Sequence, residues 1–216
     1  DWSSDVCSSD LLEMENLLQC HAVINVNANQ NVVRHPFMKV IDDFIPKNDQ
    51  DRLENLFLNN KYFPYYYEYN TVIGVEEESV GNDDDNIIMQ PQFVHKLYDC
   101  NEIASTAYSD VMNLFCGTGV ESLSPERIKV NLLQTPFDKT KGKYHIPHVD
   151  HGDDGYVSLI YYVNNSDGDT YLFDKTSYDN KSLKHYKERV NSLTVEKTVS
   201  PKKGRVVIFD SNKFQI

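Results

Sequence analysis

Three histidines and an aspartate crowd into eight residues, Tyr144-His145-Ile146-Pro147-His148-Val149-Asp150-His151. Imidazole nitrogens and carboxylate oxygens are the donors that divalent transition metals take up. Side chains alternate between the two faces of an extended strand, so His148 and Asp150 share one face and can share one ion. The His-x-Asp pattern is short, and taken alone it reads more readily as the polar end of a surface strand. His145 falls on the opposite face by the same alternation, with Pro147 interrupting the strand, so His145 and His151 are read as rim residues. His21, His35, His95 and His185 have no companion ligand nearby in sequence and carry no assignment.

A metal pair of this kind needs a rigid frame, and the chain from Arg127 onward supplies strand-like runs: RIKVNLLQ, KYHIPHVD, YVSLIYYV, DTYLFD, SLTVEKTVS and GRVVIFD. Short β-rich runs joined by Pro, Gly, Asn and Asp predict an all-β sandwich or jelly roll rather than alternating strands and helices. Upstream, residues 36–46 (PFMKVIDDFIP) read as a strand leading into an amphipathic helix through Leu53, Leu56 and Phe57. A second helix is predicted over residues 92–116 from the stripe Ile103, Ala107, Val111, Leu114 and Phe115, stopped at Gly117. The helices are expected to cover the outside of the sheet. The aromatic run 61–70 reads as packing at a helix-to-sheet junction or as the lining of a substrate groove. The acidic stretch 76–86 reads as a solvated loop.

Composition narrows the functions. The chain has 216 residues, 40% of them hydrophobic, enough for one sizeable core. Its net charge of −12 disfavours a nucleic-acid partner, which requires clustered Lys and Arg. The longest apolar run, residues 157–163, is far short of the ~20 residues of a membrane-spanning helix, so no membrane association is expected. Four widely spaced cysteines, Cys7, Cys20, Cys100 and Cys116, fit a reducing, cytoplasmic compartment, that of a host cell if the chain is viral.

Three segments together, HIPHVD, SLIYYVNNSDGDTYLFD and PKKGRVVIFDSNKF, resemble the Fe(II)- and 2-oxoglutarate-dependent oxygenases, in the prolyl 4-hydroxylase-like branch also carried by marine bacteriophages. They span close to half the chain. The resemblance implies an α+β chain, a double-stranded β-helix (jelly roll) with flanking N-terminal helices. It implies His148 and Asp150 as iron ligands, with a third ligand, ordinarily a distal His, at the position of Gln215. No catalytic residue beyond the metal ligands is implied. Tyr162 is the phenol expected to meet the distal carboxylate of 2-oxoglutarate, or else a core tyrosine; Asn131 helps hold the cosubstrate, or else is a buried amide satisfied by backbone. Two nitrogens and a carboxylate on one face of the ion leave positions for 2-oxoglutarate and O2. The reaction implied is hydroxylation of a peptidyl (prolyl-like) or small-molecule substrate with release of succinate and CO2, ascorbate serving as an accessory reductant. The rival expectations are a non-catalytic jelly-roll binding or virion-associated protein and a cupin-like metal enzyme.

The two ends of the chain carry their own expectation. Residues 1–11, DWSSDVCSSDL, match the in-frame translation of a sequencing adapter in every codon, and Gln215-Ile216 match the start of its opposite strand (CAG ATC). Residues 12–216 are then expected to form a single incomplete oxygenase domain, with helical support over about 36–120 and the β-helix core over about 127–216. In that reading residue 215 is a His in the parent gene, the final strand with its 2-oxoglutarate-binding Arg follows, and the 216-residue chain itself has little activity. Oligomeric state is not legible in the sequence.

Overall fold

The protein is described by a computed structural model covering residues 17–26, 38–69, 87–88, 91–119, 124–134, 144–177 and 192–216. The adapter-like residues 1–11 and the acidic stretch 76–86 lie outside the described residues. The strands are β1 Leu17–Asn25, β2 Met38–Ile41, β3 Tyr66–Glu68, β4 Ile87–Ile88, β5 Gln92–Asp99, β6 Glu102–Ile103, β7 Ser124–Leu133, β8 Tyr144–His145, β9 Tyr156–Tyr162, β10 Thr170–Thr176, β11 Val195–Val199, β12 Val206–Asp210 and β13 Lys213–Gln215. Helix α1 spans Lys47–Glu54 and runs on through a π-helical turn, Asn55–Asn59; α2 spans Ala107–Leu114.

Eight strands form one sheet in the order β2-β12-β9-β1-β7-β5-β3, with β6 added to β5. A second sheet has the order β11-β10-β13, and β4 pairs with β8 in parallel. Every pairing in the two larger sheets is antiparallel. The protein is thus mostly antiparallel β-sheet with two short helices.

Alternation divides the large sheet into two faces. On one, Leu18, Cys20, Ala22 and Ile24 of β1 join Ile128 and Val130 of β7 and Leu159 and Tyr161 of β9, packed against Leu53, Phe57, Val111, Leu114 and Phe115 from the helical segments. On the other, Leu17, Ile160, Tyr162, Val207 and Phe209 meet Leu172 and Val199 of the small sheet. The helices therefore cover the outside of the large sheet, as the sequence predicts, and the small sheet covers its inner face.

The turn into β12 shows why a glycine stands at 204. Gly204 has φ of 82°, and a Cβ there would sit 2.5 Å from the Gln50 side chain. Gln50 is itself buried and donates from Nε2 to the Ile45 carbonyl at 3.0 Å. Gly204 N–H also donates to the Tyr162 carbonyl, and its own carbonyl accepts from Phe44 N–H, so one residue ties α1, β9 and β12 together.

Two differences from the sequence reading stand out. Residues 92–116 are not one helix: Gln92–Asp99 is strand β5, Cys100 and Asn101 turn at positive φ into β6, and only Ala107–Leu114 is helical. Phe93, Val94 and Tyr98 favour strand, and β5 gains a full ladder of hydrogen bonds along β7. The helical stripe holds from Ala107 onward, whereas Ile103 is exposed. The other difference is β1, a central strand for which the sequence reading held no expectation.

Candidate functional site

His148 and Asp150 do not lie on a long regular strand. β8 ends at His145, and His148 then makes a single antiparallel bridge to Gln215, its N–H donating to the Gln215 carbonyl at 2.9 Å and its carbonyl accepting from Gln215 N–H at 2.8 Å. Ser211, just after β12, fixes the next turn, its carbonyl accepting from the N–H groups of Asp150 and His151 at 3.0 and 3.1 Å. The motif and the chain's last strand thus hold each other by backbone hydrogen bonds.

The Asp150 side chain is buried, and its two oxygens are treated differently. Oδ2 accepts from Ser158 Oγ at 2.5 Å, Gln215 Nε2 at 2.8 Å and His21 Nε2 at 2.9 Å. Among the described residues Oδ1 has no hydrogen-bond partner: His148 Nε2 and Arg127 Nη2 each lie 3.9 Å away. Burial pushes the Asp150 carboxyl up, but the charge and hydrogen bond of His21, the charge of His148 and the Ser158 hydroxyl outweigh it, and the group is held well below the ordinary carboxylate range. Asp150 is therefore a carboxylate anchored through one oxygen, with the other left as a donor.

His148 is prepared in a complementary way. Its Nδ1 lies 3.1 Å from the Ile146 carbonyl, which can only accept, so the ring proton sits on Nδ1 and Nε2 keeps its lone pair. Desolvation lowers its pKa to about 4, so the ring is neutral at neutral pH. His21, which the sequence reading left unassigned, faces an acceptor instead. Its Nε2 must carry the proton it donates to Asp150, which makes it a clamp on the carboxylate. Burial lowers the His21 pKa, and Asp150 opposes that.

The register of β1, β7 and β9 sets the inner face out in three rows: Asn131, Gln19, Tyr162; then Lys129, His21, Ile160; then Arg127, Val23, Ser158. Asp150 reaches His21 and Ser158 in the second and third rows. Tyr162, expected at the cosubstrate, is buried in the first row and donates its hydroxyl to Thr170 Oγ1 at 2.7 Å; burial pushes its pKa up to about 12. Asn131 shares that row, and its Oδ1 is buried without a hydrogen-bond partner. His145 and His148 rings are 6.4 Å apart, while His151 stacks on Tyr156.

Position 215 reaches the site, but as an amide. Among the described residues no three His, Cys, Asp or Glu side chains are grouped to hold a metal ion. His148 and Asp150 fit two positions of an Fe(II) site in donor type, protonation and free atoms; the third corner is buried Gln215, its Nε2 committed to Asp150 and its Oε1 a weak oxygen donor.

The sequence reading missed His21, Ser158 and Ser211. Only His21 left a signal, as a polar residue in the alternating run Leu17–Asn25.

Compared with known protein families, curated proteins and solved structures, the chain matches none. Among the described residues no helix is long and apolar enough to cross a membrane.

Proposed function

We propose that this chain carries the site of an Fe(II)/2-oxoglutarate-dependent dioxygenase of hydroxylase type, built on a double-stranded β-helix and acting on a peptidyl or small-molecule substrate. One observation carries the reading: His148, Asp150 and residue 215, up to 67 positions apart in the chain, meet at one point, with the His148–Gln215 bridge and the Gln215-to-Asp150 hydrogen bond joining them. His148 Nε2 and Asp150 Oδ1 would hold the metal, which when bound with 2-oxoglutarate supplies the oxidising chemistry. The chain's own work is positional. Ile146 sets the His148 tautomer, while His21, Ser158 and Gln215 hold Asp150 by one oxygen, so neither donor must reorganise to bind. Leu172, Val207 and Phe209 wall the inner face and exclude water.

The test is metal binding followed by 2-oxoglutarate consumption. Purified chain titrated with Co(II), a spectroscopic substitute for Fe(II), is expected to bind weakly, and His148→Ala or Asp150→Ala to abolish binding. Unchanged binding in either variant would overturn the ligand assignment.

A second reading has its own support. Because Gln215 closes the third corner through a hydrogen bond to Asp150, the site is stable with no metal, as in a jelly-roll binding module that has no catalytic role. Gln215→His separates the two: a gain in metal affinity and succinate release favours the oxygenase, and no gain favours the binding module.

A further inference from the structure

Across the large sheet from Asp150, a second histidine is held in one tautomer. His95 lies on β5 opposite Val130 of β7, whose side chain belongs to the helix-facing layer, so His95 is on the outer face. Its ring is buried and packed on Phe63, with ring centroids 4.4 Å apart. Nδ1 lies 2.8 Å from the Pro64 carbonyl, and Nε2 lies 2.7 Å from Ser105 Oγ.

A carbonyl can only accept, so the ring proton sits on Nδ1 and Nε2 keeps its lone pair. The Ser105 hydroxyl must therefore donate to Nε2. Its oxygen also accepts from Ala107 N–H at 3.2 Å, which fixes the side chain just before α2. Capping α2 needs only that second bond; it gives no reason for a buried imidazole with its lone pair aimed at the hydroxyl. Hydroxyl, imidazole and an orienting acceptor in series are the arrangement that activates an alcohol as a nucleophile. Here Pro64, from the aromatic run 61–70, supplies the acceptor. A neutral carbonyl fixes the tautomer but stabilises the imidazolium less than a carboxylate does, so slow turnover is expected.

The hydroxyl is accessible, since Ser105 is only partly buried and stands between exposed Ala104 and Thr106. Thr106 N–H has no acceptor among the described residues. In hydrolases that use an activated serine, the N–H of the residue after the nucleophile is one donor to the oxyanion. Tyr66, 64% exposed, lies with its ring roughly parallel to that of His95, centroids 6.3 Å apart, and offers an aromatic surface beside the pair. We propose that Ser105 and His95 form a nucleophilic pair that hydrolyses small carboxylic esters, aryl esters among them, at a site that needs no metal. Ser105 Oγ attacks the ester carbonyl carbon as its proton passes to His95 Nε2. The bond from that carbon to the alcohol oxygen then breaks, and the departing oxygen takes the proton from Nε2. Water, giving a proton to the same nitrogen, attacks the acyl-serine and releases the carboxylic acid, and the proton returns to Ser105.

The test uses the full chain in EDTA, treated with a fluorophosphonate and digested for mass spectrometry, and assayed in parallel with p-nitrophenyl acetate. The phosphonyl group is expected on Ser105, and the treated protein is expected to lose its nitrophenolate release. Ser105→Ala is expected to lose both, and His95→Gln to slow the release by about a hundredfold or more. Thermal unfolding shows whether each variant is folded, and the label is located in the parent chain, so the test stands even if a variant does not fold. No label on Ser105 of the parent, or release by folded Ser105→Ala at the parent rate, overturns the proposal. Co(II) binding is measured separately, so this proposal and the oxygenase reading can each fail alone.

Discussion

The same three strands build two unlike surfaces. Toward the helices, β1, β7 and β9 present Leu18, Cys20, Ala22, Ile128, Val130, Leu159 and Tyr161, a contiguous apolar layer. Toward the small sheet they present Gln19, His21, Lys129, Asn131 and Ser158, interrupted by Leu17, Ile160 and Tyr162. Neighbouring residues along one strand thus have opposite tasks. The outward face is apolar but for the buried, unpaired Tyr161 hydroxyl, whereas the inward face carries several polar and charged groups. The polar groups of the inner face lie on the side from which His21 and Ser158 reach Asp150.

The comparison breaks first on the apolar side. Leu18 is fully buried against the helices, and Leu18→Ala is expected to lower stability by about 2–5 kcal/mol in urea unfolding. A much smaller loss would mean that the helical layer is not packed on β1. Next is the third corner. Gln215→His is expected to tighten Co(II) binding by about tenfold or more, since an imidazole nitrogen replaces an amide oxygen as the available donor; equal affinity would show that residue 215 does not face the ion.

Lys129 gives the pH prediction. Desolvation, with Arg127 beside it, lowers its pKa to about 8, while Asp150 and Glu68 oppose the shift and Lys96 adds to it; His21 is its neighbour on β1. Above about pH 8 the folded chain gives up this proton while the unfolded chain keeps it up to the ordinary lysine value, so stability in urea unfolding is expected to rise with pH over that interval, and Lys129→Met to remove the rise. Equal pH profiles for parent and variant would show that Lys129 is not desolvated. The smallest effect is expected from Asn131→Leu, which deletes a buried amide whose Oδ1 has no partner: stability within about 1 kcal/mol of the parent, or slightly above it. A large loss of stability there would make Asn131 a structural residue.

Much of this frame was legible because period-two alternation survives in the sequence. The strands β7, β9, β10, β11 and β12 fall where the β-rich runs predict them, and α1 follows its strand as the spacing of Leu53 and Phe57 requires. The His148 and Asp150 pair was legible from residue type. Its orientation was not, because the alternation argument assumes a continuous strand, whereas the pair is held by a bridge to Gln215 and by the Ser211 carbonyl. Residues 92–99 were misread because the helical stripe beginning at Ala107 was extended backward over a strand whose role depends on the distant edge of β7. His21 was missed for a related reason. Its partner, Asp150, is 129 residues away, and no local pattern marks that pairing.

The position of β1 has a consequence for synthesis. Its partners on β7 and β9 lie about a hundred residues or more later in the chain, at Asn131 and Tyr162 among others. At roughly 5–20 residues per second, β1 leaves the ribosome several seconds before either neighbour exists. For that interval an apolar strand has both edges open, the condition under which chains pair wrongly or meet a chaperone. The large sheet cannot close around its middle until translation has passed β9, so its assembly is governed by the last strands to arrive.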